Sequence, residues 1–219
     1  MIPRPIRSLA LLAAIVASTA CSAQPGASAP PPATPAPSAA TGGGTDCPTA
    51  QPAALPAGET RSVKIETVQG TITLGLEADL SPIAVGNFVA LAECGFYDGV
   101  VFHRLVPGFV IQGGDPDATG TGGPGYAIAD EPLVGKYRRG TVAMARTPAP
   151  DSQGSQFFLV LDDAAEPALA SAQFPYAILG EVTAGMDVVD AIAAMPNSGG
   201  PSNTALDPVA MDRVTVTEP

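Results

Sequence analysis

The sequence predicts a mainly β domain, an antiparallel sheet closing toward a barrel with two helices packed on it. Three observations carry this. Short runs with alternating or uniformly apolar side chains recur between Gly-rich turns, two longer segments carry helix punctuation, and residues 59–219 have the size of one domain. Pattern alone leaves barrel and sandwich undecided.

Each element has a local reason. From Arg61 to Val68, Val63, Ile65 and Thr67 alternate with Ser62, Lys64 and Glu66, the period of a strand. Gln69-Gly70 turns the chain into Thr71–Leu76, making a hairpin. Ser81-Pro82 reads as a helix start, Ser at the N-cap and Pro at the first helical position. Val85, Phe88, Val89, Leu91 and Ala92 give that helix its apolar side, and Gly95 ends it. Strands are predicted at 99–104, 107–112, 141–145, 156–161, 176–182 and 211–217, eight in all. Met186–Ala194 keeps Met186, Val189 and Ile192 on one side of a second helix before Pro196 stops it.

The amino-terminal part has a different composition. Residues 1–20 read as a signal peptide: Arg4 and Arg7 precede an apolar run, Leu9–Ala17, too short to span a bilayer, and small residues follow. Ser18-Thr19-Ala20-Cys21 resembles a lipobox, with Ser where an aliphatic residue is usual. Cys21 is therefore the expected lipid anchor, and ordinary cleavage after Ala20 is the alternative. Residues 21–58 are mostly Ala, Pro, Ser, Thr and Gly, too poor in large apolar side chains to offset ordering entropy, and are expected to form a disordered tether. At ~3.1 Å per residue when extended, it could hold a domain up to roughly 100 Å from a membrane. The expected location is a membrane-anchored lipoprotein facing the periplasm or cell exterior, or a secreted protein if no lipid is attached.

The net charge of −11, with only ten Lys and Arg, excludes a nucleic-acid binder, whose phosphate contacts need a basic face. With Cys21 lipidated, Cys47 and Cys94 remain as an even pair. The sequence leaves a bridge and two free thiols equally open, because it does not show proximity.

Most of the chemistry lies in residues 101–115, Val-Phe-His-Arg-Leu-Val-Pro-Gly-Phe-Val-Ile-Gln-Gly-Gly-Asp. One fixed cation, one amide and one exposed aromatic stand close together among strand-forming residues. That set suits an uncharged substrate and needs neither a nucleophile nor a metal. Asn87-Phe88, Tyr97-Asp98-Gly99, Phe102-His103-Arg104, Gly108-Phe109, Gln112-Gly113-Gly114-Asp115, Gly122-Gly123, Gly140–Ala145 and Gly154-Ser155-Gln156-Phe157-Phe158 together resemble the cyclophilins, the peptidyl-prolyl cis-trans isomerases. The likeness runs from about Arg61 to Val216.

The resemblance implies a closed eight-stranded antiparallel barrel with two capping helices, proline-containing polypeptides as clients, no cofactor or metal, and a monomer. It implies that Arg104 is the catalytic arginine and that Gln112 binds the substrate backbone. Phe109, Val110 and Phe158 would form the proline pocket, with Leu159 behind it. Ala145, Arg146 and Gln156 would line the groove, Tyr176 would close the pocket, and His103 would pack nearby as a neutral side chain.

The chemistry is consistent with those residue types. The barrier to rotation, about 18–20 kcal/mol, comes from amide resonance, so resonance must be weakened and nothing attacked. An arginine, always charged and rigidly forked, can donate to the prolyl nitrogen as it pyramidalises. Reaching ~10³ s⁻¹ from an uncatalysed exchange of roughly 10–100 s takes about 6–7 kcal/mol, within reach of two or three preorganised hydrogen bonds.

The sequence departs from the family between Ala164 and Pro175, where members usually carry an aromatic followed by Leu-Asp-Gly; Phe174 could fill part of the gap. That departure motivates an alternative, a module that binds Pro-containing segments without useful turnover. Gly120–Gly125 spells G-x-G-x-x-G, but Pro124 and Gly125 spoil a helix start, so it is not a dinucleotide fingerprint. Ser155 has no second histidine to activate it, His103 being the only one.

Overall fold

The structure, a computed structural model, describes residues 46–173 and 175–218. The signal-peptide reading, Cys21, most of the expected tether and Phe174 lie outside the described residues.

Among the described residues nine strands form one antiparallel sheet curled into a half-barrel. In chain order they are β1 (Thr60–Thr67), β2 (Gly70–Glu77), β3 (Val101–Val106), β4 (Val110–Gly113), β5 (Thr141–Met144), β6 (Phe157–Val160), β7 (Ile178–Ala184), β8 (Thr204–Ala210) and β9 (Arg213–Thr217). Helices α1 (Pro82–Glu93), α2 (Glu166–Ala170) and α3 (Met186–Ala193) pack around it, with a 3-10 turn at Asp163–Ala165. The order across the sheet is β8-β3-β4-β6-β5-β7-β2-β1-β9.

Two expectations need correction. The sheet has nine strands rather than eight, and among the described residues no ladder joins β8 to β9, so it is open rather than closed. The unpredicted strand is β8, Thr-Ala-Leu-Asp-Pro-Val-Ala, whose Pro208 argues against a central strand. It sits at the sheet's end, with β3 as its strand neighbour and an isolated bridge from Ala205 to Asn197, where a missing N–H is tolerated.

The start of α1 is capped differently from the sequence expectation. The Ser81 hydroxyl donates to the Leu80 carbonyl at 2.8 Å instead of capping the helix. The Ile83 and Ala84 amides donate instead to the two carboxylate oxygens of Glu131, 2.8 Å each, placing a negative charge at the positive end of the helix.

The main core lies between α1, α3 and one face of the sheet, where Phe88, Tyr97, Phe102 and Phe157 meet edge to face or stacked. A second apolar cluster, including Val110, Tyr137, Phe158, Leu169 and Ile178, sits apart from it.

Residues 46–58, assigned to the tether from composition, lie instead against the domain. Cys47 is disulfide-bonded to Cys94. The Leu55 amide donates to the Pro82 carbonyl at 2.9 Å, and the Gly58 amide donates to Asp79 at 2.8 Å. Gly86 on α1 allows this approach, since a β-carbon there would stand 2.9 Å from the Leu55 nitrogen. Composition misses such a strap because its few anchors, Cys47 and Leu55, are dispersed among small residues.

Candidate active site

Strand pairing sets the site. Arg104 on β3 is opposite Gln112 on β4, Gln112 is opposite Phe158 on β6, and Phe158 is opposite Ala143 on β5. Residues in one such row share a face, because side chains alternate along each strand. This row faces away from the main core. The next row, Ile111, Leu159 and Val142, faces into it.

A hollow of about 180 Å³ opens over the first row, lined by Arg104, Phe109, Val110, Gln112, Ala145, Arg146, Phe158, Leu169 and Tyr176. Val110, Phe158 and Leu169 are buried, and the Phe158 and Tyr176 rings meet edge to face at 5.3 Å. Phe109 stands in the turn between β3 and β4, two residues later than the strand expectation. Gly108 takes φ +70° there, and the Phe109 amide donates to the Val106 carbonyl at 3.0 Å. The turn leaves the Phe109 ring half-buried over the hollow.

The polar residues form a relay. Arg104 Nη1 donates to Gln112 Oε1 at 3.3 Å, Gln112 Nε2 donates to Gln156 Oε1 at 2.8 Å, and Gln156 Nε2 donates to the Gly122 carbonyl at 2.9 Å. The relay fixes both amide orientations and leaves other donors of the Arg104 fork available. Among the described residues Arg104 makes no ion pair.

Asp115 anchors the far end. Burial would raise its carboxyl, yet the Asp117, Gly122 and Gly120 amides donate to it and hold it below the ordinary carboxylate range. The glycines of the G-x-G-x-x-G spelling thus serve a carboxylate of the protein itself. They also line a second hollow, about 520 Å³, that shares Gln112, Ala145 and Arg146 with the first.

The structure therefore brings Arg104, Gln112, Phe109, Val110, Ala145, Arg146, Phe158 and Tyr176 around one cavity and Gln156 into the lining of the adjoining one. Two expected residues are elsewhere. Leu159 is fully buried on the opposite face, one residue out of phase with Phe158. His103 falls where the pairing of β3 with β8 shifts register; it is 6% exposed, lines neither hollow, and among the described residues neither ring nitrogen makes a well-formed hydrogen bond. Burial lowers its basicity, Asp115 opposes that and Arg104 adds to it.

Sequence reasoning missed two residues. Leu169 on α2 supplies apolar wall in the stretch that departs from the family; Glu166-Pro167, with Pro at the first turn, was the available signal of a helix start. Tyr137 fixes Tyr176: its hydroxyl donates to the Tyr176 carbonyl and accepts from the Tyr176 amide, 2.9 Å each. Burial pushes the Tyr137 hydroxyl up to about 12, so it keeps its proton at neutral pH. No local motif marks that residue.

A family model described as cyclophilin type peptidyl-prolyl cis-trans isomerase/CLD matches residues 62–216. Among similar proteins, peptidyl-prolyl cis-trans isomerase A of Dickeya dadantii is 37% identical over 160 residues, 70% of this chain and 83% of its own. Peptidyl-prolyl cis-trans isomerase B of Streptomyces anulatus is 40% identical over 171 residues, 69% of this chain and 94% of its own. A solved Cryptosporidium parvum cyclophilin-type isomerase superposes with a TM-score of 0.65 at 30% identity, covering 73% of this chain and 99% of that one. The same protein has been solved in the presence of the dipeptide Ala-Pro, with a TM-score of 0.63 to this chain. A row of Arg, Gln and Phe over an apolar hollow, on this sheet and with these relatives, identifies the chain as a member of the cyclophilin-type peptidyl-prolyl cis-trans isomerases.

Proposed function

We propose that this isomerase acts on X-Pro bonds of exported or envelope polypeptides, with the row Arg104, Gln112 and Phe158 as its working surface. The observation that carries the reading is that Arg104, free of any ion pair among the described residues, shares one hollow with Phe109, Val110, Phe158 and Leu169. In this reading the prolyl ring occupies the apolar part of the hollow. The Arg104 fork donates to the prolyl nitrogen as its lone pair leaves conjugation, and Gln112 holds the substrate backbone. The substrate remains neutral, so a group that keeps its charge at every working pH suits the task.

The proposed active unit is a monomer. Location beyond the cytoplasmic membrane, with Cys21 as the lipid anchor, rests on the pattern of residues 1–21.

The test is exchange NMR on an Ala-Pro peptide with the wild-type chain and Arg104→Ala. Loss of one preorganised donor should lower kcat/KM about 10²- to 10³-fold. Equal rates for the two proteins refute the assignment.

A further inference from the structure

Four consecutive residues, Ile128–Glu131, tie distant parts of the molecule together. The Ile128 amide donates to the Gln153 carbonyl, and the Ala129 amide donates to Gln51 of the strap, 2.9 Å each. Glu131 caps α1. Asp130 Oδ1 accepts from Arg146 Nη1 at 2.7 Å and from Gln153 Nε2 at 3.1 Å, and Oδ2 accepts from the Asp151 amide at 3.0 Å.

Arg146 links this hub to the groove. Its side chain is only 2% exposed. Besides Asp130, the guanidinium donates to the Ala149 carbonyl at 2.6 Å, the Thr147 carbonyl at 3.2 Å and the Pro175 carbonyl at 3.5 Å. Ala145 and Thr147 belong to one wall of the paired hollows, and Pro175 directly precedes Tyr176 on another. One buried guanidinium thus spans two walls, and Asp130 is its ion-pair partner beside those backbone carbonyls. Asp130 itself lines neither hollow.

We propose that Asp130 is a positioning residue for the isomerase groove, acting through Arg146 without touching substrate. The inference rests on the reading of the smaller hollow as the proline site. A guanidinium held by a charged partner at short range keeps one pose, whereas a neutral amide in its place would let the fork turn. The walls would then drift apart, weakening ground-state and transition-state binding alike, which raises KM and leaves kcat unchanged.

Steady-state isomerisation of an Ala-Pro tetrapeptide by Asp130→Asn, Arg146→Lys, the double variant and Arg104→Ala tests this. Asp130→Asn should raise KM at least about fivefold with kcat within about twofold of wild type, and adding Arg146→Lys should change KM less than about twofold further. A lowered melting temperature with wild-type KM would mean a merely structural ion pair and overturns the proposal, as do effects that multiply in the double variant. If Asp130→Asn does not fold, Arg146→Lys alone must show the KM rise, and a wild-type KM there overturns the proposal. Arg104→Ala separates the two readings. A wild-type rate for it sinks the proline-site assignment, whereas its inactivity beside a wild-type KM in Asp130→Asn sinks only the positioning role.

Discussion

Removing the Cys47–Cys94 bridge is the sharpest test of the strap. The two residues are 47 positions apart, and closing a loop of that length contributes about 4 kcal/mol in the chain-entropy treatment. For a domain of this size each kcal/mol moves the midpoint by about 2–4 °C, so Cys47→Ser/Cys94→Ser should melt roughly 8–16 °C lower. Part of the strap would remain attached through Leu55 and Gly58, whose hydrogen bonds do not involve sulfur. Neither cysteine lines a hollow, so kcat/KM at 25 °C should stay within about twofold of wild type. Differential scanning calorimetry of the oxidised chain, the reduced chain and the double variant gives the comparison, with peptide isomerisation measured alongside. A fall of less than about 3 °C would show that the bridge closes no loop that matters to the unfolded ensemble.

His103 should make the domain acid-sensitive. Burial holds its folded-state pKa below the ordinary value, so below pH ~6.5 the unfolded chain takes up a proton that the folded chain resists, and stability falls as pH drops. Melting temperatures between pH 7 and 5 should decline more steeply for wild type than for His103→Gln, and parallel curves would rule out His103 as the cause. Cys21, if lipidated, should hold the protein in the membrane fraction, and Cys21→Ala should release it. Identical fractionation of the two would remove the anchor.

Much of the fold was legible because its strands obey simple periods. Val63 and Ile65, then Ile72 and Leu74, alternate cleanly, and these four residues are fully buried in β1 and β2. The β3–β4 boundary was misread, since a strand was begun at 107 although Pro107-Gly108 spells a turn, and Gly108 at φ +70° places the turn there. β8 was hidden by Pro208, and α2 by its length of five residues, too short for a periodic signal. In the site, Arg104, Gln112, Phe109 and Phe158 were named through the family resemblance, and the structure gathers them at one hollow, three in a strand row and Phe109 in the turn beside it. Leu159, expected behind the pocket, is out of phase with Phe158 and so lies on the core face, away from the hollow. Tyr137, Asp130 and Glu131 act through loops whose partners lie far away in sequence, which no local pattern records.

The pairing of β1 with β9 also bears on when this chain can finish folding. Ser62 aligns with Thr217, so the outermost ladder cannot zip until some 150 residues have followed its first strand. Contacts of such range are slow to close, and until then one margin of β1 offers bare amides and carbonyls to any neighbour. A catalyst of slow steps in other polypeptides thus has a late, long-range step of its own, and guarding that margin falls to whatever attends the nascent chain.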